Sequence, residues 1–503
     1  MPQNPTIPSA SLDPIRKDTF GFDEARHLLW RAGFGGTPKQ ILTLVEWGPE
    51  KSVDYLLDFH DEGNFPDPKA NTFDGSIMRE FTADERDAYF RAQRAQDENT
   101  LARFRREIQD RQRRDRVQVR EMQKWWLTRM IETPHPLEEK MTLFWHGHFA
   151  TSYRTIENSY HMYLQNQLFR AHAVGNFGEL LFAIIRDPAM LRYLDNNLNI
   201  RGRPNENLAR ELMELFSLGV GNYKERDIKE GARALTGYTY DGNAFAYYPA
   251  RHDDKSKSIL GKSGNMDGDD FVRAILAKRV CSEFITKKLY RFFAGEIPNL
   301  RTPAGQVVKR VVMRLASTMR EHRYEIKPVL RQLLLSQHFY DPNIVLSRIK
   351  SPVELVVGTI RGLGTPTRDL SALLDAMNLM GQYLLLPPSV KGWEGERTWI
   401  NTSTLYVRSN VANYLVMGQA PIFDEPGDEV YDPMGLLENL KFGAQHDPEQ
   451  VAHRLLKLAL GSRIAPERQW VIKDFLEQKG KIEPDSVRQA VSLITAMPEY
   501  QVC

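Results

Sequence analysis

Cysteine is almost absent. Cys281 and Cys503 are the only two among 503 residues, one inside a helical pattern and one the last residue, so neither a disulfide framework nor a cysteine-ligated metal is expected. Long apolar runs are missing too, and no window approaches the roughly 20 apolar residues that span a bilayer. The first residues, Met1-Pro2-Gln3-Asn4-Pro5, lack the basic stretch and apolar run of a secretory signal. As written the chain reads as cytoplasmic, and as exported if a signal has been cleaved from it. There is no excess of one charge: 67 Lys and Arg face 65 Asp and Glu, a formal +2, which gives no general field for nucleic acid or an anionic membrane. Nucleotide and hydrolase fingerprints are lacking as well. No Gly-x4-Gly-Lys-Ser/Thr loop occurs, and no Gly-x-Ser-x-Gly turn follows a strand. The glycines of His27-Leu28-Leu29-Trp30-Arg31-Ala32-Gly33-Phe34-Gly35 follow a helix and lack dinucleotide spacing, so they read as packing. No internal repeat is visible.

What is present is helix after helix. Apolar spacing of three and four dominates, which predicts a mainly α protein: a large multi-helical globular body, a minor β-hairpin and one long exposed helix. An N-terminal arm covers residues 1–20 and the main helical body 20–417. Within it a charged helix runs over 83–133, a Pro, Gly and Asp-rich linker covers 418–435, and a small helical subdomain covers 436–503. Between Arg91 and Arg120 the long helix carries ten Arg against five acidic residues. Its stripe of Val119, Met122, Trp126 and Met130 docks on a core while the basic part projects. The hairpin is expected around Gly237 to Tyr248 with Asp241-Gly242 at its turn, inside an otherwise irregular segment reaching Asp270.

The best place for chemistry is a helix predicted from Glu206 to Leu218, with Asn205 as N-cap and Gly219 as terminator. At about 100° per residue, Glu206, Arg210, Glu214, Asn207 and Glu211 share one sector about 140° wide. Glu206 and Glu214 have Arg210 as an internal partner, so Glu211 has the stronger need of a partner from elsewhere. His146-Gly147-His148 is the second candidate. Residues i and i+2 lie about 200° apart on a helix, so the two imidazoles converge only if the helix ends at His146 and Gly147 opens the chain. Two imidazoles with carboxylates from Glu206, Glu211 or Glu214 would suit zinc, iron or manganese. Arg210 would then hold an anionic substrate group, and His252 or Asp253 would move protons.

Five stretches carry a family likeness: His27 to Gly35, Glu139 to Phe149 around His146-Gly147-His148, Asn205 to Phe216, Ala232 to Gly237, and Pro388-Ser389-Val390-Lys391-Gly392-Trp393. Over about residues 20–415 the chain resembles the bacterial "domain of unknown function 1800" family. Many members resemble exported proteins encoded beside a sulfatase-like companion, and this chain differs in showing no signal. The resemblance implies no established activity, so the expectation rests on the residues: a metal-dependent enzyme, hydrolytic or oxygen-dependent, with a His/carboxylate site between helices and a divalent metal as cofactor. The alternative is a non-catalytic binding or assembly protein that docks a protein partner through residues 84–118 and the Trp393 loop. Substrate identity and oligomeric state are not written in the sequence.

Overall fold

The computed structural model describes residues 7–59, 72–419, 421–423, 429–438, 444–462 and 464–503. Among these, α-helices dominate and the only sheets are two antiparallel hairpins. No described helix is long and apolar enough to cross a membrane. The helices that position the site are α1 (Phe22–Ala32), α2 (Ala83–Ala95), α3 (Glu98–Glu132), α4 (Pro136–His148), α5 (Asn207–Glu214), α6 (Arg279–Phe293) and α7 (Pro352–Leu363). Local chemistry starts many of them. Proline stands in the first turn of α4 and α7, where its missing N–H costs nothing, and Ser351 and Glu354 cap α7 reciprocally.

The predicted long helix is two helices. Gln96 adopts φ 54°, and the chain folds back so that Tyr89 of α2 and Phe81 pack on Phe104 of α3. The apolar stripe of α3 is buried at Val119, Met122, Trp126 and Met130, as its spacing predicts. The hairpin pairs β1 (Tyr238–Asp241) with β2 (Ala244–Tyr247), placing the turn at Gly242-Asn243, one residue later than expected. A second hairpin, β3 (Lys257–Ile259) with β4 (Lys262–Gly264), lies in the stretch predicted to be irregular. Its turn residues Leu260 and Gly261 both have positive φ, the geometry that a two-residue turn between twisted strands requires.

The arm is tied down where it is described: Ile15 N–H donates to Leu335 O at 2.8 Å and Gln337 N–H to Asp13 O at 2.9 Å. Helices Pro448–Leu460, Pro466–Lys479 and Pro484–Thr495 share one apolar cluster with the rest of the chain. Part of the predicted linker lies outside the described residues.

The core is also ionic. Arg31 of α1 is fully buried and donates to the carbonyls of Phe293, Ala294, Ile344 and Cys503 at 2.7–3.1 Å, which makes the His27 to Gly35 stretch a structural clamp. Two neighbouring residues bolt α4 in place. Glu139 accepts from Arg129, Arg170 and the Trp126 indole, and Lys140 donates to Gly33 O at 2.8 Å and Glu354 at 2.5 Å. Such buried charges persist only when fully paired.

Candidate functional site

Helix α4 runs through Gly147 to His148 instead of ending at His146. The two imidazoles therefore leave on different sides, as the i, i+2 spacing of a continuous helix dictates. His146 is enclosed by the rings of Trp126, Phe169 and Trp393, and burial holds its pKa down to about 3. His148 faces Phe216, whose carbonyl oxygen lies 3.0 Å from Nε2. A carbonyl only accepts, so Nε2 carries the proton and Nδ1 presents its lone pair. Burial, and then the charge of Lys288, hold His148 well below its usual pKa, so the ring is neutral.

The platform for His148 is the frayed end of α5. That helix stops at Glu214, short of the predicted Leu218, while Gly219 takes φ 80° as expected. Leu215 and Phe216 carry carbonyls with no place in a regular helix, and side chains satisfy them. Lys288 of α6 donates to Leu215 O at 3.0 Å and His148 donates to Phe216 O, so consecutive carbonyls hang an ammonium and an imidazole side by side. The negative end of a helix favours a cation there. Even so, burial and then the nearby Arg291 lower the Lys288 pKa to about 8. Among the described residues no carboxylate forms an ion pair with Lys288.

Both residues line a cleft of about 450 Å³ bounded by the ends of α4 and α6 and by residues 391–399. Phe144, Phe292, Trp393 and Trp399 are its apolar lining; Arg348 and Glu396 also line it, as an ion pair 3.3 Å apart. Burial raises the Glu396 carboxyl, against the attraction of Arg348. Three polar atoms of the lining residues are buried without a hydrogen-bond partner among the described residues: the acceptor Nδ1 of His148 and the donors Nε1 of Trp393 and Nε of Arg348.

One contact sets the loop against α4. A Cβ on Gly392 would stand 2.1 Å from the Gly147 carbonyl oxygen, and Gly392 has φ +75°. Only glycine meets both demands. Gly147 offers its carbonyl to this contact within a continuous helix, and the His146-Gly147-His148 and Lys391-Gly392-Trp393 stretches form one unit.

The predicted metal set is not brought together. Among the described residues no three His, Cys, Asp or Glu side chains are grouped to hold a metal ion. Glu206 pairs with Arg210 at 3.1 Å, Arg210 also binds Glu225 at 2.8 Å, and Glu214 accepts from the Tyr223 hydroxyl at 2.6 Å. Of the three carboxylates Glu211 has an electrostatic link to the cleft: burial and then Glu214 raise its carboxyl, while Arg210 and Lys391 of the cleft loop pull it down. The predicted acid–base and anion-holding residues lie elsewhere. His252 Nδ1 donates to Thr236 O at 2.9 Å. Asp253 is clamped by Arg233 at 2.8 and 3.1 Å, which holds its carboxyl down to about 2 and keeps it ionised in an ion pair. None of Arg210, His252 and Asp253 lines the cleft.

The unit of α4, the α5 end and the Trp393 loop is built from the stretches that carry the family likeness. A family profile described as "Protein of unknown function (DUF1800)" matches residues 27–502. The chain belongs to the DUF1800 family. The match reaches past the signature stretches, so in this DUF1800 protein the C-terminal helices fall within the family unit. No curated protein and no solved structure matches the chain. Lys288, Arg348 and Glu396 of the DUF1800 cleft were not among the sequence candidates. For Lys288 a signal exists: it stands at i+7 in the apolar stripe Cys281, Ile285 and Phe292 of α6, where a lysine has no packing reason to be.

Proposed function

We propose that this protein binds a small organic carboxylate in the cleft and does acid–base chemistry on it without a metal. Lys288 pairs with the anion and exchanges a proton, Trp393 donates its indole N–H, and His148 Nδ1 accepts a hydrogen bond from a donor on the ligand. The aromatic walls take the ligand's apolar part. The carrying observation is that Leu215 and Phe216 carbonyls hold Lys288 and His148 as neighbours on one cleft wall, the ammonium with no carboxylate partner among the described residues. A volume of about 450 Å³ suits a small molecule, and a lysine pKa of about 8 suits proton transfer near neutrality.

Mandelate is the probe, because it joins a carboxylate, a hydroxyl and an aromatic ring. Isothermal titration should show binding at pH 7 that weakens as pH rises through about 8, since the ammonium then loses its proton. Binding should be lost in Lys288→Met, and phenylacetate, which lacks the hydroxyl, should bind several-fold more weakly to the wild type but not to His148→Phe. Equal affinity of mandelate for wild type and Lys288→Met, or no binding at any pH, would refute the assignment.

A metal-dependent reading keeps one observation, the buried His146 Nε2 and His148 Nδ1 without hydrogen-bond partners among the described residues. About one equivalent of zinc, iron or manganese in purified protein, lost in His148→Ala, would put that reading in place of ours. For the docking alternative the supporting features are Phe90 and Val117, 53% and 61% exposed on the basic α2–α3 arm.

A further inference from the structure

Beside the cleft, across α6, lies a second and more apolar groove. Its volume is about 680 Å³ and its walls include Leu218, Val220, Phe284, Ile297, Leu300 and Val312. Helix α6 is the ridge between the two. Val280, Phe284, Lys287 and Arg291 face the groove, whereas Lys288, Arg291 and Phe292 face the cleft, a division that follows from helical spacing. Arg291 and Glu296 line both. They form an ion pair of 2.6 Å with side chains 47% and 51% exposed, and an exposed pair of this kind is weak and easily parted.

Two further observations join the spaces. The Lys288 ammonium lies 5.1 Å from the centroid of the Phe284 ring, so the apolar wall of the groove begins where the cation of the cleft ends. Val220 is 76% exposed and Leu300 47% exposed, on the open lip of the groove.

We infer that cleft and groove form one site for an amphiphilic anion: a carboxylate head at Lys288 and an unbranched alkyl chain laid past Arg291 into the groove. This rests on the proposed function, which places the carboxylate at Lys288, and adds the class of ligand. Charge complementarity fixes the head. The groove offers the chain apolar walls next to it, and Lys287, Glu283 and Lys309 also line it, as charged rims of apolar sites do.

The test compares butyrate with decanoate on the full-length protein by isothermal titration, with decanoate kept below its micelle threshold. Each methylene buried should tighten binding about fourfold, so four buried methylenes make decanoate about 200-fold tighter than butyrate. Val220→Asp with Leu300→Asp should weaken decanoate at least tenfold and leave butyrate and mandelate unchanged. Both positions are exposed, and an unchanged melting temperature confirms that the double variant folds. Lys288→Met should weaken both fatty acids. If butyrate or mandelate depends on Lys288 but chain length brings no gain, or the double variant binds decanoate like wild type, the groove inference falls and the cleft assignment stands. If no carboxylate depends on Lys288, both fall.

Discussion

Lys288 is held where a lysine is expensive. Among the described residues its ammonium has one hydrogen-bond acceptor, the Leu215 carbonyl, and its pKa falls from 10.5 to about 8, chiefly through burial. A shift of that size corresponds to about 3 kcal/mol, and partial exposure cuts it to about 1–2 kcal/mol. The sign follows from proton counting. Between the folded and unfolded values the unfolded chain binds more protons, so wild-type stability rises with pH from about 8 toward 10.5. Below that window the whole cost is present. Lys288→Met should therefore be about 1–2 kcal/mol more stable than wild type at pH 7 in urea unfolding, with the gain fading by pH 10.5. A variant that gains stability while losing ligand marks a residue kept for binding and not for folding. A less stable Lys288→Met would count against this account. The contrast within the protein is Glu354, also deeply buried. Burial would raise its carboxyl, but Arg348 and Lys140 outweigh that and hold it far below the usual range, so this carboxylate belongs to the core.

At the scale of elements, the two glycines of the α4–loop contact behave oppositely. Gly147 has ordinary helical geometry, and a Cβ there would meet only the Trp393 ring at 3.7 Å. Gly147→Ala should be neutral or stabilise by up to about 1 kcal/mol, since alanine favours the helix. Gly392→Ala meets both a carbonyl at 2.1 Å and φ +75°, and should cost more than about 2 kcal/mol in urea unfolding and displace the Trp393 loop, weakening mandelate. Equal effects of the two substitutions would refute the contact. The helical class was legible because a period of three and four needs no tertiary knowledge. So were the buried stripe of α3, the Glu206–Arg210 pair and the positive φ of Gly219. The break at Gln96 was not, because no glycine or proline marks it; a tertiary contact, Tyr89 on Phe104, fixes it. The candidate site was half legible. His148, Trp393 and Gly392 stood out as residues, but their grouping depends on where α4 and α5 end, which helical periodicity cannot fix to within a turn. Convergence of the two imidazoles required α4 to stop two residues early, and it does not.

Across the whole molecule, residues far apart in the chain complete one another's hydrogen bonds. Lys350 donates to Tyr500 O at 2.7 Å between the rings of Trp30 and Tyr500. Arg408 reaches Gln501 Oε1 at 2.7 Å, and Arg31 reaches Cys503 O. Removing Tyr500 to Cys503 strips three buried cations of acceptors and empties the space of a fully buried tyrosine. The cost should be about 5 kcal/mol or more, seen as loss of a cooperative urea transition, and a wild-type midpoint would show that these contacts carry little. The family match through residue 502 agrees with a fold in which the last helices are structural members of the body.

The Arg31 clamp also has a consequence in time. Its guanidinium finds the Cys503 carbonyl 472 residues downstream, and at roughly 5–20 residues per second the ribosome needs about half a minute to a minute and a half to make them. Through that interval α1 exists with its arginine still lacking that acceptor, so the nascent chain holds its first helix in an unfinished core. Of the four carbonyls that Arg31 binds, that of residue 503 is the last to be made.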